Sequence, residues 1–224
     1  MGYHRTTGGL RAFADTFVGG DRPFFIGNDW ILICPQSNAV AGVDIAAQVN
    51  IGGSGLTYGS GSGINNNGMF VQAIPSRVSR DAVLRACASN GTFAEFQIVS
   101  RVAGIDAGIG PSVCNNPGDE SHYFIQVESI NFLTSLARRN ANGTSTAINA
   151  NCFNNVDGDI VRLEQRIVGG FPQLKVYQNG VLRSTDLDNS GLGPTSGLFG
   201  FTFSGVFTGK VTVKNFNGGI LSPV

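Results

Sequence analysis

Short segments in which apolar and polar residues alternate, separated by glycine, asparagine and aspartate, run through almost the whole sequence. Between Phe93 and Val102, for example, Ala94, Phe96 and Ile98 fall on one side of an extended chain and polar residues fall on the other. A period of two is typical of antiparallel strands with one buried face. We therefore predict an all-β fold, an antiparallel two-sheet sandwich of about twelve short strands with little or no helix.

Glycine supplies 32 of the 224 residues, and its position between the alternating segments indicates tight turns. The clearest turn lies in LKVYQNGVLRST, where Asn179-Gly180 predicts a two-residue hairpin of type I′. That hairpin would place Tyr177 opposite Leu182 and Val176 opposite Arg183.

Two segments of the chain do not follow the strand pattern clearly. Residues 79–88 suit either a helix or a strand, and we favour a strand. The Gly-, Ser- and Asn-rich stretch from Gly52 to Gly68 predicts a long surface loop. We expect a single domain over residues 11–224, preceded by a flexible arm over residues 1–10.

Charged residues lie on the polar side of several predicted strands. Glu95, Arg101, Arg162, Glu164 and Arg166 are expected to neutralise one another across strands on an outer sheet face. Since the other face of each strand forms the core, we expect any ligand site to lie in the loops.

Two longer stretches carry a family resemblance. The segment Asp15–Ile33, DTFVGGDRPFFIGNDWILI, contains D-x-F followed by G-x-x-W, and the segment Gly158–Phe201 contains GDIVRLE, LKVYQNG and GLFGF. Both are similar to the concanavalin A-like lectin and glucanase (laminin-G-like) jelly roll of the phage and bacterial type. The resemblance implies a jelly-roll sandwich, and its motifs mark the fold without carrying chemistry.

Hydrolytic members of that superfamily carry carboxylates spaced E-x-D-x-x-E or E-x-D-x-E on one strand, so that a nucleophile and an acid flank the glycosidic bond. This chain has only four glutamates, and none has an acidic residue two positions away. His4 and His122 give poor support for a Ser-His-Asp set. We expect His122 to be a solvated or hydrogen-bonded residue on the polar face of a strand. We therefore predict that the protein is not an enzyme.

The cysteines and acidic loops give little indication of a metal. Cys34, Cys87, Cys114 and Cys152 form no C-x-x-C pair, so we predict free buried thiols, while three disulfide connectivities stay open. We predict no cofactor. Calcium is the alternative, because DLDNSG offers oxygen ligands from Asp186, Asp188 and Asn189, although the same residues suit an Asx-rich turn.

Three clusters of amide and carboxylate side chains near aromatic residues suggest sugar binding, since such groups pair with hydroxyls and rings stack on sugar C–H faces. We predict that they gather at one rim of the sandwich as a glycan site. The clusters are Asn65, Asn66 and Asn67; Asn115, Asn116 and Asp119; and Asn154, Asn155 and Asp157.

The remaining features point to a structural protein of a virus particle. Cationic and anionic residues balance at 15 each, which argues against nucleic-acid binding, and no apolar run is long enough to span a membrane. The chain opens without a signal peptide, so we expect synthesis in the host cytoplasm.

We predict a bacteriophage capsid decoration (cement) or fibre-type protein on the virion surface. Its arm, with His4, Arg5 and Arg11, would anchor it to the major capsid protein or a fibre base, and it would form a homo-oligomer. The alternative is a free or modular carbohydrate-binding, lectin-like domain.

Overall fold

The structure is a computed structural model that describes residues 4–6, 9–15, 22–23, 30–35, 49–52, 55–58, 68–72, 80–101, 107–116, 119, 121–128, 133–205 and 211–223. Within these ranges the chain forms 17 strands and one helix, α1 (Arg80–Asn90). The strands are β1 (His4–Thr6), β2 (Gly9–Asp15), β3 (Arg22–Pro23), β4 (Trp30–Pro35), β5 (Val49–Gly52), β6 (Gly55–Tyr58), β7 (Gly68–Gln72), β8 (Thr92–Arg101), β9 (Ala107–Asn115), β10 (His122–Glu128), β11 (Leu133–Arg139), β12 (Ser145–Asn154), β13 (Ile160–Val168), β14 (Phe171–Gln178), β15 (Val181–Leu187), β16 (Leu198–Gly205) and β17 (Val211–Ile220).

The strands form two antiparallel sheets. The ten-stranded sheet has the order β15-β14-β13-β8-β17-β6-β5-β3, and β17 also pairs with β2, which in turn pairs with β1. The seven-stranded sheet has the order β12-β11-β10-β9-β16-β7-β4. Successive strands repeatedly cross from one sheet to the other, so the predicted two-sheet antiparallel sandwich is confirmed.

The core lies between the sheets and is formed by the apolar side of each strand. Ala94, Phe96 and Ile98 of β8 are fully buried, as the alternation predicts. The rings of Phe201 and Phe216 meet edge to face across the two sheets, with centroids 6.4 Å apart. On β13 the row of buried side chains ends at Gln165. The next residue on that side, Ile167, is 38% exposed, although the alternation places it in the core.

Residues 80–90 form a helix, so the strand favoured from the sequence is wrong. Cys87 and Leu84 of α1 pack against the core, and Gly91 ends the helix at a φ of 85°, where its N–H donates to the Cys87 carbonyl at 2.9 Å. A left-handed glycine after the last turn is a common helix stop. The spacing of apolar residues in this segment could not distinguish helix from strand, because it suits the 3.6-residue period of a helix as well as the two-residue period of a strand.

Part of the glycine-rich stretch is also better ordered than predicted. β5 and β6 form a hairpin in which Gly52 pairs with Gly55, so the loop expected from Gly52 to Gly68 is wrong for residues 55–58. Residues 59–67 lie outside the described ranges. Residues 4–6 of the predicted arm form β1, which pairs with β2.

The Asn179-Gly180 turn is confirmed by two positive φ angles, 51° and 77°. Tyr177 lies opposite Leu182, as predicted, but Val176 lies opposite Ser184. Arg183 is therefore the extra residue of a β-bulge, and its predicted pairing with Val176 is wrong.

Three cysteines are free thiols, as predicted: Cys87 and Cys114 are buried and Cys152 is half-buried. Burial raises the pKa of Cys87 to about 11, against a smaller lowering by its hydrogen bond with Thr92. The side chain of Cys34 is outside the described part of the chain. No helix in the described ranges is long and apolar enough to cross a membrane.

Candidate functional site

The predicted rim clusters do not gather at one end of the sandwich. Asn115 ends β9 beside the start of β10, where His122 lies opposite Arg139. Asn154 ends β12 opposite Leu133, which is the other end of the same sheet. The length of β10 separates the two ends by about 20 Å, so the prediction of a single rim site is wrong. Asn65, Asn66 and Asn67 fall outside the described residues.

Two of the predicted sugar ligands are part of the fold instead. Asn155 is buried, and its Nδ2 donates to the Leu133 carbonyl at 2.8 Å and to Thr134 Oγ1 at 3.1 Å. Asn115 is fully buried and offers no accessible amide. Their assignment to a surface site is therefore wrong.

The other members of these clusters lie nearer the surface. Asn154 and Asp157 are exposed and Asn116 is half-buried. The exposed Asp119 carboxylate accepts hydrogen bonds from Ser121 N at 3.0 Å and Ser121 Oγ at 2.6 Å, which is an Asx turn.

A buried carboxylate that the sequence does not single out as a site residue fixes the end of the sandwich near Asn154. Asp159 accepts hydrogen bonds from Val156 N at 2.8 Å, from Gln178 Nε2 at 2.6 Å and from Asn179 Nδ2 at 2.7 Å. These bonds join the turn before β13 to the β14–β15 hairpin, so Asp159 stabilises structure and is not available to a ligand.

The predicted calcium ligands do not form a cation site. The buried Asp188 carboxylate pairs with Arg138 Nη1 at 2.5 Å and accepts a hydrogen bond from Tyr123 Oη at 2.8 Å. The guanidinium occupies the position that a cation would need. Asp186 lies 3.4 Å from the Asn149 amide and Asn189 is exposed. The described residues contain no group of three or more His, Cys, Asp or Glu that could hold a metal, and the calcium prediction is wrong at Asp188.

The Arg138 pair changes the titration of Asp188. Burial would raise the pKa of this carboxyl, but hydrogen bonds from Ser190, Arg138 and Tyr123 outweigh burial and lower it to about 2. Burial raises the pKa of Tyr123, and the hydrogen bond to Asp188 and the charge of that carboxylate add to the increase. The cluster joins the segment after β15 to the inner face of β10 and β11.

The outer face of the ten-stranded sheet carries a connected set of planar side chains, which we call the platform: Phe93, Glu95, Arg162, Glu164, Tyr177 and Asn217. The register of the strands aligns it, since Arg162 lies opposite both Glu95 on β8 and Tyr177 on β14. Glu95 in turn lies opposite Asn217 on β17. One row of the sheet therefore crosses four strands with polar or aromatic side chains on the same face.

Arg162 is the centre of the platform. Its guanidinium contacts Glu164 Oε1 at 2.6 Å and Glu95 Oε2 at 3.5 Å, and it stacks 3.9 Å above the centroid of the Phe93 ring. The predicted neutralisation across strands is confirmed for this residue. Glu164 also accepts a hydrogen bond from Tyr177 Oη at 3.3 Å, and Glu95 accepts one from Asn217 Nδ2 at 3.1 Å.

The platform is both ordered and accessible. The side chains of Arg162, Glu95 and Glu164 are 28%, 22% and 16% exposed, and Phe93, Tyr177 and Asn217 are half-buried. Partial burial raises the pKa of Tyr177, and the nearby Glu164 charge adds to the increase, so its hydroxyl stays a hydrogen-bond donor at neutral pH. The sequence shows the charges of this face, but the participation of Phe93, Tyr177 and Asn217 depends on the strand order.

The outer face of the seven-stranded sheet differs from the platform because several side chains at its centre, on β9, β10 and β16, are buried. His122 is 2% exposed and Phe124 is 7% exposed, and their ring centroids lie 5.4 Å apart. Ser112 and Thr202 lie on the same face of neighbouring strands and are also buried. His122 is therefore not solvated. Farther along the same face, Ser135 and Arg139 on β11 are half-buried and Ser145 on β12 is exposed.

No family model matches the sequence, and no curated protein is similar to it. Solved structures do match. The carbohydrate-binding module CBM66 from Bacillus subtilis is 13% identical, with a TM-score of 0.52 over 85% of this chain and 94% of that one. An endo-1,3-β-glucanase from Streptomyces sioyaensis is 12% identical, with a TM-score of 0.56 over 100% of both chains.

A structure from work on endo-acting O-glycanases of the human gut microbiota that initiate mucin breakdown also matches. It is 14% identical, with a TM-score of 0.57 over 94% of this chain and 99% of that one. Such low identities show the fold alone. The structural matches confirm the jelly-roll fold that concanavalin A-like glucanases and carbohydrate-binding modules have. The phage origin stays a prediction.

Proposed function

We propose that this chain is a carbohydrate-binding jelly-roll domain without hydrolytic activity, and that it holds saccharides on the platform. The fold supports the proposal, because glucanases and a carbohydrate-binding module share it. The observation that carries the proposal is the platform itself, an accessible set of planar groups that hold one another in place.

Sugar recognition needs two kinds of contact, and the platform supplies both. Carboxylate, guanidinium and amide groups pair with vicinal hydroxyls, while an aromatic ring packs on the C–H face of a pyranose. Because Arg162 fixes Glu95 and Glu164, these groups need little reordering when a ligand binds, which lowers the entropic cost of association.

The same geometry argues against hydrolysis. A retaining or inverting glycosidase needs two carboxyl groups on either side of the scissile bond. Here the Arg162 side chain contacts both Glu95 and Glu164, so the guanidinium occupies the place of the substrate. On the outer face of β10, the described side chains of His122, Phe124 and Gln126 carry no carboxylate.

Replacing Tyr177 by Ala tests the site. We expect this change to weaken binding of the best ligand from a polysaccharide and glycan panel at least tenfold in calorimetry, because the ring contact is lost. Phe171→Ala is the matched control, since Phe171 lies on the same strand and face and is 40% exposed but is not part of the platform. Binding that survives Tyr177→Ala, or a panel without any ligand, would contradict the proposal.

A location on a virion and assembly with capsid or fibre proteins stay predictions from the sequence. A carbohydrate-binding domain is compatible with that setting and equally with a modular enzyme or lectin. The homo-oligomer also stays a prediction.

A further inference from the structure

Among the described side chains, the charges on the outer face of the ten-stranded sheet are not balanced, although the whole chain is formally neutral. The described side chains that share this face include four cations and two carboxylates, which leaves two positive charges in excess. The cations are Arg162, Arg166, Lys175 and Lys214, and the carboxylates are Glu95 and Glu164. A local excess of one sign attracts ligands of the opposite sign.

Arg162 forms ion pairs with both Glu95 and Glu164. The other cations of this face therefore have no described carboxylate as a partner. Arg166 donates to the carbonyls of Asn90 and Ser222 at 2.8 and 2.9 Å, which fixes the chain near its C-terminal end. Lys175 lies opposite Glu164 in the register, but the two Glu164 oxygens accept from Arg162 and Tyr177. Among the described contacts, Lys175 therefore has no ion pair, and its half-buried side chain lies next to the platform.

We propose that the platform binds saccharides that carry a carboxylate or a sulfate, and that the Lys175 ammonium contacts the anionic group. This inference rests on the proposed function. Tyr177 packs on the sugar ring, the Arg162 network pairs with its hydroxyls, and Lys175 pairs with the charge. A neutral saccharide would leave this ammonium without a partner, and an acidic one would neutralise it.

The contribution of ligand charge to affinity is measured with pairs of polysaccharides that share a sugar backbone and differ in charge. Polygalacturonate is compared with its methyl ester, and dextran sulfate with dextran, at 20 mM and 500 mM NaCl. We expect the acidic member of at least one pair to bind about fivefold more tightly at low salt, and this preference to shrink at high salt. The pair that shows the preference identifies the group as carboxylate or sulfate.

Variants of Lys175 assign the contact. Lys175→Gln should remove most of the acidic preference, and Lys175→Arg should retain it. Lys214→Gln is the control, because Lys214 lies on the same face opposite Gln97, in a different row of the sheet from Lys175. Circular dichroism and the melting temperature of each variant establish that it folds.

Each outcome has a distinct meaning. Equal affinity for acidic and neutral members overturns the charge inference and leaves carbohydrate binding intact. Binding of dextran sulfate or polygalacturonate that survives Tyr177→Ala, or equal binding of polyglutamate, means non-specific attraction and overturns it as well. If no probe of either kind binds, the charge inference fails, and the proposed function then depends on the polysaccharide and glycan panel, in which a complete absence of ligands would refute it.

Discussion

At the scale of single residues, sequence spacing identified charged side chains but not their partners. Asp188 follows a hairpin in an Asx-rich segment, which is why it resembles a calcium ligand. Its partner Arg138 lies 50 residues away on a strand of the other sheet, and no local pattern connects the two. Arg162 and Glu95 are even farther apart in the chain, yet the alternation placed both on an outer face, so neutralisation across strands could be predicted there.

The Asp188 cluster makes a prediction about acid stability. The pKa of Asp188 is about 2 in the fold against an ordinary 3.8, so the ionised carboxyl stabilises the fold above the unfolded pKa. That contribution is lost as the pH falls from about 5 through 2. We expect Asp188→Asn to lower the free energy of unfolding by about 2 to 4 kcal/mol at pH 7, measured by urea denaturation.

The same experiment at low pH checks the cause. The difference between wild type and Asp188→Asn should become smaller between pH 5 and pH 2, because the wild-type carboxyl becomes protonated. Asp186→Asn is the control, since the hydrogen bonds described for the Asp186 carboxylate are the long ones from the Asn149 amide, at 3.4 and 3.5 Å. A stability difference that stays constant over this range would show that the Asp188 charge has no role.

Among the elements, turns could be predicted from local sequence better than the helix or the register of the strands. Asn179-Gly180 needs left-handed backbone at both positions, and few other dipeptides adopt it, so the turn was predictable. The bulge at Arg183 was not, because it depends on how β15 packs beside β14. Residues 80–90 were ambiguous because the contacts of Leu84 and Cys87 with the core, rather than local propensity, favour the helix.

The turn yields a prediction that separates backbone strain from packing. Nothing lies within 4 Å of the position that a Cβ of residue 180 would occupy, so a substitution there meets no steric clash. Gly180→Val should still cost about 1–3 kcal/mol, because a β-branched residue resists a positive φ. Gly180→Asn should cost less, since asparagine tolerates this conformation.

Thermal unfolding of the two variants provides the measurement. Thr185→Val on β15 is a matched control with extended backbone and an exposed side chain, and it should change stability by less than about 0.5 kcal/mol. Equal melting temperatures for Gly180→Val and wild type would contradict the turn assignment.

At the scale of the whole molecule, the alternation of apolar and polar residues was enough to predict the sandwich, because it specifies which side of each strand is buried. It could not specify which strands are neighbours. The Asn115 and Asn154 clusters looked alike in the sequence, but the order β12-β11-β10-β9 places them at opposite ends of one sheet. For the same reason the platform could not be predicted, since it requires β14, β13, β8 and β17 to lie side by side.

Saccharide binding on the outer face of the ten-stranded sheet can be observed residue by residue in a backbone NMR titration. Isotope-labelled protein is titrated with the best-binding oligosaccharide, and trigalacturonate is the first choice. We expect the largest amide shift changes at Phe93–Glu95, Arg162–Glu164 and Lys175–Tyr177, with little change around Asn116, Asp119, Asn154 and Asp157. Shift changes centred on either of those rim clusters, with the outer face unperturbed, would contradict saccharide binding at the platform.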